Sequence, residues 1–166
     1  MAEQKIAVAP APPDLETRKH LGGLRIAVLH GGPGVEREVS LWSGRNAAAA
    51  LAPDCPDLRV VDVRGPEDLE GLEADVALMM LHGEFGEDGQ AQDILDQRGI
   101  PHTGSRAGAC RKAIDKDAAK RLMAAAGVPV APWALLRNRG LKARDGAAKE
   151  SDVLEEKVRR IGCAAA

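Results

Sequence analysis

Three short apolar runs, each followed by a glycine-containing break, constrain the fold of this chain more than any other feature of its sequence. They are LRIAVLH (24 to 30), LRVVDV (58 to 63) and DVALMML (75 to 81). The first of them is a continuous apolar run that fits a strand buried on both faces, as in a parallel sheet, and the other two predict a second and a third strand. Helical patterns lie between them, so the order predicts an α/β fold with a doubly wound parallel sheet. Ligand loops are then expected at the carboxyl ends of the strands.

The remaining segments extend this alternation. Residues 35 to 51 form a helical pattern in which Val39, Trp42 and Ala49 fall near one face, and GEDGQAQDILDQRG predicts a helix before IPHTG. Two short helical segments follow, AGACRKAID and KDAAKRLMAAAG, and then the extended VPVAPWALL. A charged stretch begins at Arg137, and VLEEKVRRIG then predicts a further helix.

Composition excludes several classes of protein. The 23 basic and 25 acidic residues give a formal charge of -2, without the basic footprint of a nucleic-acid binder. Three scattered cysteines without a C-x-x-C pair favour reduced thiols over a disulfide framework or a zinc site. No segment approaches the roughly 18 apolar residues that cross a bilayer, so we expect a cytoplasmic protein without a membrane partner.

The first glycine turn, HGGPGVERE, allows two interpretations. It resembles the phosphate-binding entry to a dinucleotide-binding helix, but Arg37 stands where the third glycine of G-x-G-x-x-G is needed. Asp62 then either contacts a ribose or faces water at the end of its strand. Glu36 either interacts with the helix dipole or receives a positively charged amine, in which case the ligand is an amino acid.

A second glycine-rich loop, LHGEFGEDG (81 to 89), follows the third apolar run. His82 stands at the end of that strand, where function is usual in such sheets, and can bind a carboxylate or move a proton. Glu87 and Asp88 are candidates to cap the next helix or to orient their neighbours. Further along, Asp115 predicts a helix start, and Lys116 beside it is a candidate for phosphate binding.

Four segments together resemble the N-terminal half of a D-alanine:D-alanine ligase of the ATP-grasp superfamily, from about Leu24 to Leu136. They are GGPGVEREVSLWSG, LHGEFGEDGQAQDIL, GIPHTGS and DKDAAKRLMAAAGVPVAPW. Residues 1 to 20, with APAPP among charged residues, have too little apolar surface to bury and predict a disordered arm. The resemblance implies a Rossmann-like substrate domain over 21 to 105. Residues 106 to 166 are then linking helices and the start of an ATP-grasp domain that is truncated before its core.

Such an enzyme uses ATP and Mg²⁺ to make an acyl phosphate from one D-alanine, which a second D-alanine attacks to give the dipeptide for peptidoglycan. The resemblance implies that Glu36 binds the ammonium of the first D-alanine, with Gly32, Val39 and His82 also binding substrate. Glu36 and Ser40 are the predicted catalytic residues. Lys116 matches a lysine that reaches the ATP phosphates. No metal ligand is assigned to this chain, and a homodimer at full length is compatible with the resemblance.

Two departures from the family pattern concern packing: Asp93 replaces a small residue, and His102 replaces a more usual aromatic in IPxTG. Because the nucleotide pocket and metal ligands belong to the ATP-grasp core, we expect this chain alone to be inactive. Two alternatives stay open. One is a non-catalytic module that binds D-amino acids or regulates a partner, and the other is a nucleotide-binding Rossmann domain.

Overall fold

The computed structural model describes residues 14 to 135. The predictions for the charged stretch and the last helix lie outside these residues, as does Cys163. The described elements run in chain order: α1 (Leu15–Leu21), β1 (Ile26–Gly31), α2 (Arg37–Leu51), β2 (Leu58–Val63), α3 (Glu67–Glu70), β3 (Val76–Met79), α4 (Gln90–Gln97), α5 (Ala107–Ile114) and α6 (Lys116–Ala125). The described residues fall into two compact units that divide between Ile114 and Asp115.

The first unit is built on a parallel sheet with strand order β2-β1-β3. The central strand β1 is buried along its whole length because it has neighbours on both sides, which confirms the interpretation of its continuous apolar run. The segment after α4 extends the sheet beyond β3, where Ala77 N–H donates to Pro101 O (2.8 Å) and Thr103 N–H donates to Ala77 O (3.0 Å). The predicted parallel α/β fold is confirmed.

The hydrophobic core of this unit lies between the sheet and the helices α3 and α4. Its largest fully buried side chains include Leu29, Leu69 and Leu95. His102, which replaces an aromatic residue of the family pattern, is 4% exposed at its side chain, and its Nε2 lies 3.4 Å from Asp96 Oδ1. Asp93, which replaces a small residue of the family pattern, forms an ion pair with Arg111 of α5.

Helix α2 packs on the sheet through small residues. Its buried positions are Ser40, Gly44 and Ala48, spaced four residues apart along one face. Val39 and Trp42, which the sequence pattern grouped with Ala49 on one face, are instead 56% and 64% exposed. The physical reason is the close approach of α2 to β1, because a Cβ on Gly44 would lie less than 3.0 Å from the His30 side chain.

The N-terminal region also differs from its prediction. Residues 15 to 20 belong to α1, whereas the sequence predicted a disordered arm over 1 to 20. The Asp14 carboxylate accepts a hydrogen bond from Thr17 N–H (2.7 Å), as a helix-starting residue does. A local capping interaction therefore begins a helix that the apolar pattern did not reveal.

Candidate functional site

The loop between β1 and α2 depends on two glycines with left-handed backbone conformations, Gly31 (φ 94°) and Gly32 (φ 90°). A Cβ on Gly31 would lie within 3.0 Å of Asp62 Oδ1, Arg37 Nη1 and Val63 O. Gly32 N–H donates to Val63 O (2.7 Å), which holds the turn against the end of β2. We call residues 31 to 36 the first loop.

Ser40 ties the first loop to the segment after β3. Its Oγ accepts a hydrogen bond from Gly31 N–H (2.8 Å) and donates one to Met80 O (2.6 Å). The residue has no exposed surface. Ser40 therefore acts on the site through the backbone that it holds, and its assignment as a catalytic residue stays a prediction.

Glu36 is the residue at which α2 begins, and it is exposed. Its side chain makes no capping hydrogen bond to the helix. The carboxylate instead reaches towards the loop after β3, because Cδ and Oε1 of Glu36 lie 3.4 Å from the position that a Cβ on Gly83 would occupy.

The second loop, residues 81 to 89, is held by hydrogen bonds within the loop and to α4. Phe85 has a left-handed backbone (φ 69°), which is unusual for a bulky residue, and its side chain is buried in the core. The Asp88 carboxylate accepts from Phe85 N–H (2.9 Å) and Gln90 N–H (3.0 Å). Burial raises the pKa of Asp88, but these hydrogen bonds together outweigh it, so the pKa is lowered. Gln92 Nε2 donates to Gly86 O (2.6 Å).

His82 lies between a carboxylate and a hydroxyl. Its Nδ1 is 3.6 Å from Glu87 Oε1, and its Nε2 is 3.3 Å from Ser43 Oγ on α2. The side chain is 33% exposed. Sequence analysis missed Ser43, although position 43 follows Glu36 by two helical turns and therefore lies near the same face of α2.

The two loops are in contact. A Cβ on Gly32 would lie 3.7 Å from Leu81 Cδ2, and one on Gly34 would lie 3.3 Å from Glu84 Cβ. The structure therefore brings Gly32, Glu36 and the loop of His82 together at the carboxyl ends of β1 and β3. Val39 is exposed in the first turn of α2, and Val35 before the helix and Trp42 on it are exposed as well.

Asp62 forms an ion pair with Arg37, whose Nη2 lies 2.7 Å from Asp62 Oδ2, and Arg64 approaches the same oxygen at 3.5 Å. The hydrogen bond from Arg37 lowers the pKa of Asp62. An aspartate that binds a ribose has to offer its carboxylate to hydroxyl groups. Because both guanidinium groups lie on Oδ2 and Oδ1 is buried, the geometry argues against the dinucleotide alternative. The same arginines line a cavity of about 370 Å³ beside Gly32 and Pro33.

Lys116 belongs to the second unit, where it is the first residue of α6 and is exposed. The helix start is confirmed, because the Asp115 carboxylate accepts from Asp117 N–H and Ala118 N–H (both 3.0 Å). In the same unit, Trp133 Nε1 donates to Asp117 Oδ1 (2.8 Å), and Lys120 Nζ lies 5.6 Å from the centre of the Trp133 ring. The phosphate-binding role of Lys116 stays a prediction.

Residues 14 to 135 contain no group of three or more His, Cys, Asp or Glu side chains arranged to hold a metal ion. Within the same range, every helix is too short or too polar to cross a membrane.

No family model matches the chain. The sequence is 43% identical over 123 residues to a D-alanine:D-alanine ligase of Citrifermentans bemidjiense, covering 73% of this chain and 40% of that protein. It is 48% identical over 113 residues to the corresponding ligase of Acidiphilium cryptum, covering 64% of this chain and 37% of that protein. The chain thus spans about two fifths of the length of these relatives.

Two solved structures share the fold. One is the D-alanine:D-alanine ligase of Bacillus anthracis in complex with ATP, with a TM-score of 0.60 and 32% identity over 80% of this chain and 45% of that one. The other is the ligase of Aeromonas hydrophila, with a TM-score of 0.62 and 26% identity over 80% of this chain and 50% of that one. The likeness in sequence and the likeness in fold therefore point to the same kind of protein.

Proposed function

We propose that this chain, which is related in sequence and fold to the D-alanine:D-alanine ligases, is the N-terminal, amino-acid-binding part of such an enzyme. The complete enzyme joins two D-alanine molecules at the expense of ATP and supplies the dipeptide for peptidoglycan in the cytoplasm. A homodimer of the complete enzyme fits the same proposal.

One observation carries the proposal: the Glu36 carboxylate lies against Gly83, the neighbour of His82 in the chain. A zwitterionic amino acid needs an acid for its ammonium group and a hydrogen-bond donor for its carboxylate. Glu36 supplies the acid, and the His82 ring, as an imidazolium, supplies a donor at Nε2. The exposed side chain of Val39 offers apolar contact to a methyl group, and Gly32 lets the ligand approach the backbone.

The contribution of these residues to catalysis is orientation. Holding the first D-alanine by both of its charged ends fixes its carboxylate for phosphorylation by ATP, and well-oriented reactants can lower a barrier by several kcal/mol. The acyl phosphate then loses its phosphate as the amine of the second D-alanine attacks. Ser40 keeps the first loop in place, and Lys116 carries a charge suited to a phosphate.

The proposal is tested by titrating the purified chain with D-alanine and following the backbone amide signals of the two loops by NMR. We expect Glu36→Gln to weaken binding about tenfold or more, because a hydrogen bond to a charged group contributes roughly 1.5 to 3 kcal/mol. Glu38→Gln is the matched control, since Glu38 is an exposed carboxylate in the first turn of the same helix.

Equal D-alanine affinity in the Glu36→Gln variant and the parent chain would show that Glu36 does not bind the ammonium group and is only the residue that precedes α2. With ATP and D-alanine together, we expect binding by this chain without turnover. Steady phosphate release in step with dipeptide formation would contradict that expectation. Binding without turnover, even when the remainder of a ligase is supplied, would favour the non-catalytic module.

A further inference from the structure

The surroundings of His82 differ at its two ring nitrogens. On its own loop, the carboxylate of Glu87 lies 3.6 Å from Nδ1. On α2, the hydroxyl of Ser43 lies 3.3 Å from Nε2. The two partners come from different elements. The ring lies between them, and about a third of its side-chain surface is exposed.

The carboxylate favours one of the two positions for the proton of the neutral ring, and the hydroxyl can stabilise the same arrangement. A negative charge beside Nδ1 stabilises a proton on that nitrogen, which leaves the lone pair on Nε2. A serine hydroxyl can donate to this lone pair. It can also accept from Nε2–H when the ring becomes an imidazolium, so Ser43 remains a partner in both charge states.

The charged groups around the ring that the described contacts identify are both carboxylates. Glu87 lies beside Nδ1, and Glu36 approaches from α2 across Gly83. Neither is a hydrogen-bond donor when ionised. Among these described groups, the Ser43 hydroxyl is therefore the one that can donate a hydrogen bond to Nε2.

We propose that Ser43 is a positioning residue for His82, holding the neutral ring with its proton on Nδ1 and its Nε2 facing α2. Because Glu36 stands at the start of the same helix, α2 aligns both the acid for the ammonium group and the histidine for the carboxylate of one ligand. The consequence for D-alanine binding rests on the proposed function. The tautomer itself does not.

The experiment measures the tautomer directly in the ligand-free chain. Long-range ¹H–¹⁵N correlation spectra of the imidazole rings are recorded over a pH series, and His82→Gln identifies the His82 signals among the four histidines. We expect neutral His82 to show a protonated, pyrrole-type Nδ1 and an unprotonated, pyridine-type Nε2. An unconstrained imidazole in water favours the opposite arrangement.

Ser43→Ala is expected to shift Nε2 of neutral His82 from the pyridine type towards a mixture of both tautomers, and Ser43→Thr, which keeps the hydroxyl, is expected to restore it. Glu87→Gln is expected to produce a mixture as well. Asn46→Ala, an exposed position on α2, is the control and should leave the spectrum unchanged. Backbone amide spectra verify that each variant is folded.

A proton on Nε2 in the parent chain would overturn the proposal, as would a Ser43→Ala spectrum identical to that of Asn46→Ala. These measurements contain no D-alanine, so their failure is distinct from a failure of the proposed function. Conversely, equal D-alanine affinity in Glu36→Gln and the parent chain would count against the proposed function but not against the tautomer of His82.

Discussion

At the scale of the residue, two serines three positions apart on α2 take different roles. Ser40 is completely buried, and its hydroxyl joins the backbone of the first loop to Met80. The hydroxyl of Ser43 instead lies 3.3 Å from Nε2 of His82. A step of three residues turns the side chain by about 60° around the helix axis, which is enough to move it from the sheet to the second loop.

Ser40→Ala is expected to destabilise the chain by about 1 to 3 kcal/mol, because it leaves the Gly31 amide and the Met80 carbonyl without their partner in a buried place. Urea unfolding followed by circular dichroism measures the change. Ser105→Ala, at an exposed position, serves as control and should stay within about 0.5 kcal/mol of the parent. Equal unfolding midpoints for both variants would show that the buried hydroxyl contributes nothing.

At the scale of the element, the packing of α2 on β1 positions the first loop. Small residues at 40, 44 and 48 let the helix axis come close to the strand, and Gly44 lies directly against the side chain of His30. His30 Nδ1 in turn lies 3.3 Å from Leu41 O. The start of α2, and with it Glu36, is thereby held near the carboxyl end of β1.

Gly44→Ala is expected to destabilise the chain by roughly 1 to 3 kcal/mol, because the added methyl group overlaps His30 and forces the helix away from the strand. Gly108→Ala is the matched control. Gly108 is also helical, but nothing lies within 4 Å of its added Cβ, so alanine there should stabilise by about 0.5 to 1 kcal/mol. Thermal unfolding of both variants measures the difference, and a Gly44→Ala variant as stable as Gly108→Ala would contradict the packing argument.

At the scale of the whole molecule, the described residues form two compact units. In the first unit, an ion pair joins the residues that precede β1 and β3. Asp75, just before β3, accepts hydrogen bonds from the amide of Arg25 (2.8 Å) and from its guanidinium Nη2 (2.7 Å). The hydrogen bond from the Arg25 side chain is the main cause that lowers the pKa of Asp75 to about 2.

Because the pKa of Asp75 is lower in the folded state than its ordinary value of 3.8, its contribution to stability is present above about pH 4 and lost as the pH falls towards 2. We therefore expect Asp75→Asn to lower the unfolding temperature at pH 7, with a smaller difference from the parent near pH 2. Glu73→Gln is the control, since Glu73 is 73% exposed and lies 3.7 Å from Arg25. A deficit of Asp75→Asn that stays constant down to pH 2 would contradict this linkage.

Local patterns in the sequence were sufficient for the architecture. The apolar runs predicted β1, β2 and β3. The run of β1 is continuous because this strand is buried along its whole length, whereas β2 is partly exposed. The glycines predicted the tight turn before α2, and Asp115 predicted the start of α6, since backbone freedom and capping depend on near neighbours in the chain. The α/β class and the location of the two loops at strand ends follow from these elements alone.

The tertiary structure decided which side chains meet. It turned Val39 and Trp42 outwards and buried Ser40 and Gly44, because the distance between α2 and β1 admits only small residues. It also paired Arg37 with Asp62 and placed Ser43 beside His82. Each of these pairs is separated by 25 residues or more in the chain, so periodicity within a short window carries no information about it. Only the packed sheet and helices bring such partners within contact distance.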